Sequence, residues 1–180
     1  VRAAVIEATL AELAERGYSG VSLDGVAARA EVHKTTVYRR WQTKETLVIE
    51  AMLEQAAQTV AVPDTGSLRG DLLELARRSA RIQSSAPGEA VVRAVAGEAP
   101  GNPQMAAASR RFWSQRLELD RTILRRAYNR GEIDTATQHR PAIEALLGPL
   151  YFRLLVTGEQ LDDRFIEGIV DLVCAACTVN

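Results

Sequence analysis

At 180 residues the chain is sized for one domain, or for a small domain joined to a medium one. Its 47% hydrophobic and 25% charged residues exclude a disordered or collagen-like chain. The net charge of −1, from 22 Lys and Arg against 23 Asp and Glu, gives no bulk sign of a nucleic-acid partner.

No apolar run reaches the ~18 residues a membrane span needs, so no membrane contact is expected. Two cysteines argue for a reducing cytoplasm rather than a disulfide framework. No signal-peptide pattern follows Val1, and the absent initiator methionine reads as a trimmed or partly disordered N-terminus.

Glycines and prolines divide the chain into helical windows, and no strand or hairpin pattern stands out. The first window runs from Arg2 to Arg16, with Ile6, Leu10 and Leu13 on one face and Gly17 at the cap position. Ser22 is placed to start a short second helix ending near Ala30, with Val21 and Val26 as a hydrophobic staple. Glu31-Val32-His33 forms a turn before a third short helix, Lys34 to Trp41. Thr43 caps a fourth that extends to about Ala61.

Beyond the loop at 63–70, Leu68, Leu72, Leu75, Ser79 and Ile82 repeat at helical spacing. A short helix lies between Pro87-Gly88 and Pro100-Gly-Asn-Pro103. A long one spans Gln104 to Arg130, and Gly131 ends it. The last two cover Pro141 to Thr157, with a kink expected at Gly148-Pro149, and Asp163 to Thr178. The fold class is therefore all-α, with about nine helices.

Helix, three-residue turn, helix is the helix-turn-helix arrangement, whose second helix enters the DNA major groove. At about 100° per residue, Val37 and Trp41 share one face of the third helix and plug a core with Ile6, Leu10, Leu13, Val26 and Ala27. Thr35, Tyr38 and Arg39 then project the opposite way, with Thr36 and Arg40 on the flank. A charged run is often only a solvated helix face. Here, however, His33 to Lys44 holds four cations (Lys34, Arg39, Arg40, Lys44) and no acid, which leaves the rest of the −1 chain at −5. Both lysines of the protein lie in this stretch. Hydroxyls and guanidinium groups are the side chains that bond phosphates and read base edges. Lys44 also stands in the first turn of the fourth helix, where free N–H groups favour a phosphate. Tyr38 has a second reading as a core ring, and His33 reads equally as a plain cap or as a contact.

The segment Ser22 to Leu47 resembles the DNA-binding segment of the tetracycline-repressor (TetR) family. The resemblance rests on Thr36-Val37-Tyr38, the aromatic Trp41, and Lys44-Glu45-Thr46-Leu47 at the start of the connecting helix. It implies that Thr36, Tyr38 and Lys44 hold phosphates, and that Lys34, Thr35 and Arg39 contact bases or nearby phosphates. Arg40 stands where a backbone-touching histidine is common. Arg39 is the expected base reader, since Arg–guanine is the commonest specific contact. Glu31 departs from the frequent turn glycine, and His33 from the usual Ser or Thr cap. The implied organisation is a DNA-binding domain over 1–46 and an effector-binding and dimerisation domain over 47–180.

The implied function is a ligand-responsive regulator, a repressor, that binds a palindromic double-stranded DNA operator as a homodimer and is released by a small-molecule effector. The alternative is an architectural or protein-partner-controlled DNA-binding protein without a small-molecule ligand. In the last two helices Leu147, Tyr151, Leu154, Phe165, Ile169, Leu172 and Val173 are candidates for the dimer interface; the other reading packs them within the monomer. Phe112, Trp113 and Arg116 on the long helix are candidate ligand residues, for a largely apolar effector. Arg116 reads either as a partner for an acidic group on the ligand or as a residue that pairs internally or snorkels to solvent. Cys174-Ala-Ala-Cys177 reads as packing rather than a redox or zinc motif, so no metal and no cofactor is expected. No paired acid–base carboxylates or nucleophile–base signature points to an enzyme.

Overall fold

Three helices start on the same short pattern, a serine followed three residues later by glycine. Ser22, Ser67 and Ser85 each accept a hydrogen bond from the backbone N–H of Gly25, Gly70 and Gly88. Each cap satisfies an N–H that the helix itself leaves open. At Gly70 the approach is so close that a Cβ would clash with the Thr65 hydroxyl.

The computed structural model describes residues 1–57, 61–134 and 139–177. Among them the chain forms α1 (Arg2–Gly20), α2 (Leu23–Arg29), α3 (Lys34–Arg40), α4 (Lys44–Ala57), α5 (Leu68–Gln83), α6 (Ala86–Glu98), α7 (Pro103–Asn129), α8 (His139–Phe152) and α9 (Asp163–Cys177). The fold is all-α, and no strand occurs among the described residues.

Boundaries differ from the sequence pattern in informative places. Helical geometry in α1 breaks at Gly17, with φ 64° and ψ 178°, where the cap was expected, and one further turn follows to Gly20. Pro87 lies inside the first turn of α6 rather than before it, a place where its missing N–H is not needed. The α-helical pattern of α8 continues through Gly148 and Pro149 to Phe152. A π-helical turn over Arg153–Thr157 then closes with a bond from Gly158 N–H to the Arg153 carbonyl at 2.7 Å. The fourth helix is described as far as Ala57, 58–60 lie outside the described residues, and Ala61, the expected end, is not helical. The expected end of the ninth, at 178, lies outside the described residues.

The helices form two compact units, Val1–Gln58 with Ser85–Phe112, and Thr59–Ser84 with Trp113–Asn180. The first buries Val5, Leu13, Val26, Val37, Trp41 and Leu47 in one cluster, to which α6 adds Val91 and Ala94. The second buries Leu72 and Leu75 of α5 with Ile123 and Leu124 of α7, Leu146 and Leu150 of α8, and Val170 of α9. Burial of these faces, not helix propensity, is the main stabilising term for helices as short as α2 and α3.

Two helices end in the same motif with different residues at its left-handed position. After α7, Gly131 at φ 75° lets its N–H reach Tyr128 O and the Glu132 N–H reach Ala127 O. After α2, Glu31 takes φ 54°, with its N–H on Ala28 O and the Val32 N–H on Ala27 O. A Cβ makes that conformation costly, and glycine removes the cost. Glu31→Gly is therefore expected to stabilise the first unit by about 1 kcal/mol in urea unfolding; a lower midpoint would contradict this account of the turn.

Candidate nucleic-acid interface

The left-handed turn at Glu31 reverses the chain so that α3 follows α2 after only three residues. His33 is the N-cap of α3 and makes no side-chain cap bond. Without that cap, α3 depends on packing. Val37 is fully buried and Trp41 only 2% exposed, both inside the first unit's core. The opposite side is open: Tyr38 is 46% exposed, and Thr35, Arg39 and Arg40 are exposed as well. Thr36 is half-buried on the flank.

One carboxylate ties the C-terminal end of α3 to its neighbours. Glu50 of α4 accepts from the Trp41 indole N–H at 2.6 Å through Oε2, and from Arg2 Nε at 2.6 Å through Oε1. Arg40 Nη2 lies 3.4 Å from the same Oε1, and its guanidinium stands 5.2 Å from the Trp41 ring centroid. Burial alone would raise the Glu50 carboxyl's pKa, but Trp41, Arg2 and Arg40 together hold it below the usual range.

The other cations are engaged too, except one. Lys34 Nζ is 2.9 Å from Asp24 Oδ2 of α2. The lysine, with a smaller contribution from the Tyr38 hydroxyl, lowers the Asp24 carboxyl's pKa. Lys44 is half-buried; its Nζ donates to the Tyr18 carbonyl at 3.2 Å and stands 4.3 Å from that ring's centroid. Tyr18 in turn donates to Glu45 at 3.1 Å, and burial, then Glu45, raises its pKa to about 12. Arg39 makes no ion pair or hydrogen bond among the described residues. At the start of α4, the Thr43 hydroxyl accepts from Thr46 N–H at 3.3 Å, while the Thr46 hydroxyl donates to Thr43 O at 2.8 Å.

All seven side chains singled out as DNA contacts therefore lie on α3 or in the first turn of α4, in one unit. Asp24 and Glu50, which organise three of them, were not singled out from the sequence. An acid facing a cation across a turn leaves no periodic trace, so only the fold reveals either pairing.

Phe112 is half-buried at the end of the first unit, and Trp113 begins the second. Trp113 packs edge-on against Tyr151, with ring centroids 5.5 Å apart at 77°. Arg116, only 7% exposed, is gripped by fully buried Asp120, with Nε to Oδ2 at 2.9 Å and Nη2 to Oδ1 at 2.7 Å. Burial raises the Asp120 carboxyl's pKa in spite of Arg116. Of the two readings of Arg116, this structure holds the internal pair. Its signal was present in the sequence as an acid four residues on along the same stripe.

Leu147, Ile169 and Val173 lie buried in the second unit's own core, and Phe165 packs against it. Tyr151 and Leu154 are half-buried, while Leu172 is 74% exposed. The open apolar side chains near them are instead Phe152, Leu155 and Val156, at the end of α8 and in the π turn. The monomer thus takes four of the seven interface candidates into its own packing, three of them buried. Cys174 is half-buried and Cys177 buried, and both side chains are thiols rather than disulfide halves. Burial pushes the Cys174 thiol up to about 11, away from reactivity. No grouping of potential metal ligands occurs among the described residues. No helix among them is long and apolar enough to cross a membrane.

Lys44 is expected to support the fold as well as its charge. Lys44→Met keeps the stem but loses the carbonyl bond and the ring contact, so it should lower stability by roughly 1 kcal/mol in thermal unfolding. An unchanged midpoint would mean that the lysine does not hold Tyr18.

Comparison with known proteins agrees along most of the chain. The family model described as "Bacterial regulatory proteins, tetR family" matches residues 5–51, and that described as "Tetracyclin repressor-like, C-terminal domain" matches residues 62–173. The chain is 32% identical to the HTH-type transcriptional regulator AqdR of Rhodococcus erythropolis, covering 96% of this chain and 83% of that protein. It is 32% identical to the DNA-binding transcriptional repressor TetR of Mycobacteroides abscessus, covering 94% and 89% respectively. The crystal structure of the TetR family transcription regulator SCO0332 superposes with a TM-score of 0.78 at 30% identity, over 99% of this chain and 98% of that one.

Proposed function

The chain belongs to the TetR family of bacterial helix-turn-helix transcription regulators, and from that membership we propose that it is a repressor binding a palindromic operator as a homodimer, released by a small-molecule effector. The observation that carries the proposal is the two-sided α3: Val37 and Trp41 locked inward, with Thr35, Tyr38 and Arg39 outward. An exposed helix of this kind fits the major groove, and the Arg39 guanidinium, unpaired among the described residues, suits guanine O6 and N7. Thr36, Tyr38 and Lys44 are assigned to phosphates, and Lys34, Thr35 and Arg40 to bases or nearby backbone. In this division of labour residues 1–46 contact DNA and 47–180 sense and pair.

One helix reads only a few base pairs, so two copies reading two half-sites are required for a unique operator. Exposed Phe152, Val156 and Leu172 support pairing through the second unit. The effector is assigned a largely apolar body, because Arg116 is already neutralised by Asp120 and Trp113 and Tyr151 offer aromatic surface. The activity is placed in the cytoplasm and is regulatory rather than catalytic.

Selection of bound duplexes from a random pool tests the reading. The expected product is a palindrome whose half-site centres lie about 34–36 Å apart, or a multiple of that. Arg39→Ala should weaken operator binding by roughly 1–3 kcal/mol and relax one base per half-site; unchanged selectivity would remove its reading role. Leu172→Asp, at a position outside the monomer core, should shift the protein to a monomer in light scattering and lower operator affinity. A dimer that persists would place the interface elsewhere.

A further inference from the structure

Three of the four cations between His33 and Lys44 are held inside the head, and one of these pairings can be removed without touching the core. Lys34 sits at the start of α3 with its ammonium 2.9 Å from Asp24, and both side chains are more than half exposed. Asp24 lies in the first turn of α2, where the helix dipole stabilises a carboxylate. It is thus held by its own helix and by the lysine, with a smaller contribution from the Tyr38 hydroxyl. Resting on the reading that α3 meets DNA, we propose that Asp24 is a positioning residue that competes with DNA phosphate for Lys34 and so sets the protein's sequence-independent affinity.

The chemistry is a competition between two oxyanions for one ammonium. A cation contributes to the salt dependence of binding only as far as it is handed to a phosphate. While Asp24 keeps Lys34, that contribution is reduced, and the carboxylate itself repels an approaching phosphate within a screening length of about 8 Å at physiological salt. Exposed ion pairs of this kind are weak, so phosphate can win, but against a standing competitor. Among the described residues Arg39 has no such competitor. Phosphate contacts carry no sequence information, whereas a base contact does. Restraining Lys34 while leaving Arg39 free lowers the common background without weakening the reader.

Asp24→Asn keeps the size of the side chain and removes its charge. The variant is expected to bind operator and unrelated duplex more tightly by a common factor, roughly two- to fivefold at physiological salt. Its plot of log K against log salt should be steeper, by at most the roughly 0.9 of one full phosphate contact. Lys34→Ala should abolish that gain in the Asp24→Asn background, yet cost clearly less in the wild type. Wild-type slope in Asp24→Asn, or an equal cost of Lys34→Ala in both backgrounds, would overturn the inference while operator binding by the wild type stands. A wild type that binds no duplex at all would overturn the functional reading, and this inference with it.

Discussion

The burial of Trp41 is the constraint on which the head depends. Helix α3 has seven residues and no side-chain cap, so nothing in its own hydrogen bonding fixes its rotation about its axis. The indole does so twice. Its rings are buried with Val37 in the core shared by α1, α2 and α4, and its N–H is spent on Glu50 at 2.6 Å. A rotation of one residue, about 100°, would expose the indole and leave that carboxylate without its donor. The outward set of Thr35, Tyr38 and Arg39 is therefore a consequence of what is inside.

The same carboxylate joins three helices electrostatically. Arg2 of α1, Arg40 of α3 and Glu50 of α4 meet within hydrogen-bonding or ion-pair distance, and Arg2 also reaches Glu54 at 2.9 Å. The near-neutral chain thus hides a local pattern: cations concentrated on α3 and the start of α4, with acids set behind two of the four, Lys34 and Arg40. A net charge cannot report this. The placement of each acid relative to each cation decides which cations a polyanion meets unopposed.

Much of the helical layout was legible because glycine, proline and serine mark helix ends through local backbone physics. The Gly17 break, the Ser22 cap and the Gly131 stop all act within a few residues of where they stand. The inward pair Val37 and Trp41 was legible for the same reason, since helical periodicity sorts faces. Less visible were features made by chain segments far apart in sequence. The packing of α6 into the core of the first unit joins residues near 91 to α1, and periodicity shows only that Val91 has an apolar face, not what covers it. Leu147, Ile169 and Val173 show the limit from the other side. Their stripe is apolar whether a second copy or the monomer's own core buries it, and here the monomer does. The structure of Arg116 was half legible: an acid stands one helical turn on in the sequence, but only the fold shows that Asp120 is buried with it and grips it.

The most direct test of the orientation of α3 is amide and indole chemical-shift mapping of the protein during titration with its selected operator. The expected result is large shifts at Thr35, Tyr38, Arg39 and the first turn of α4, with the Trp41 indole resonance almost unmoved. Shifts centred elsewhere, or a Trp41 indole that moves as much as Arg39, would contradict the account.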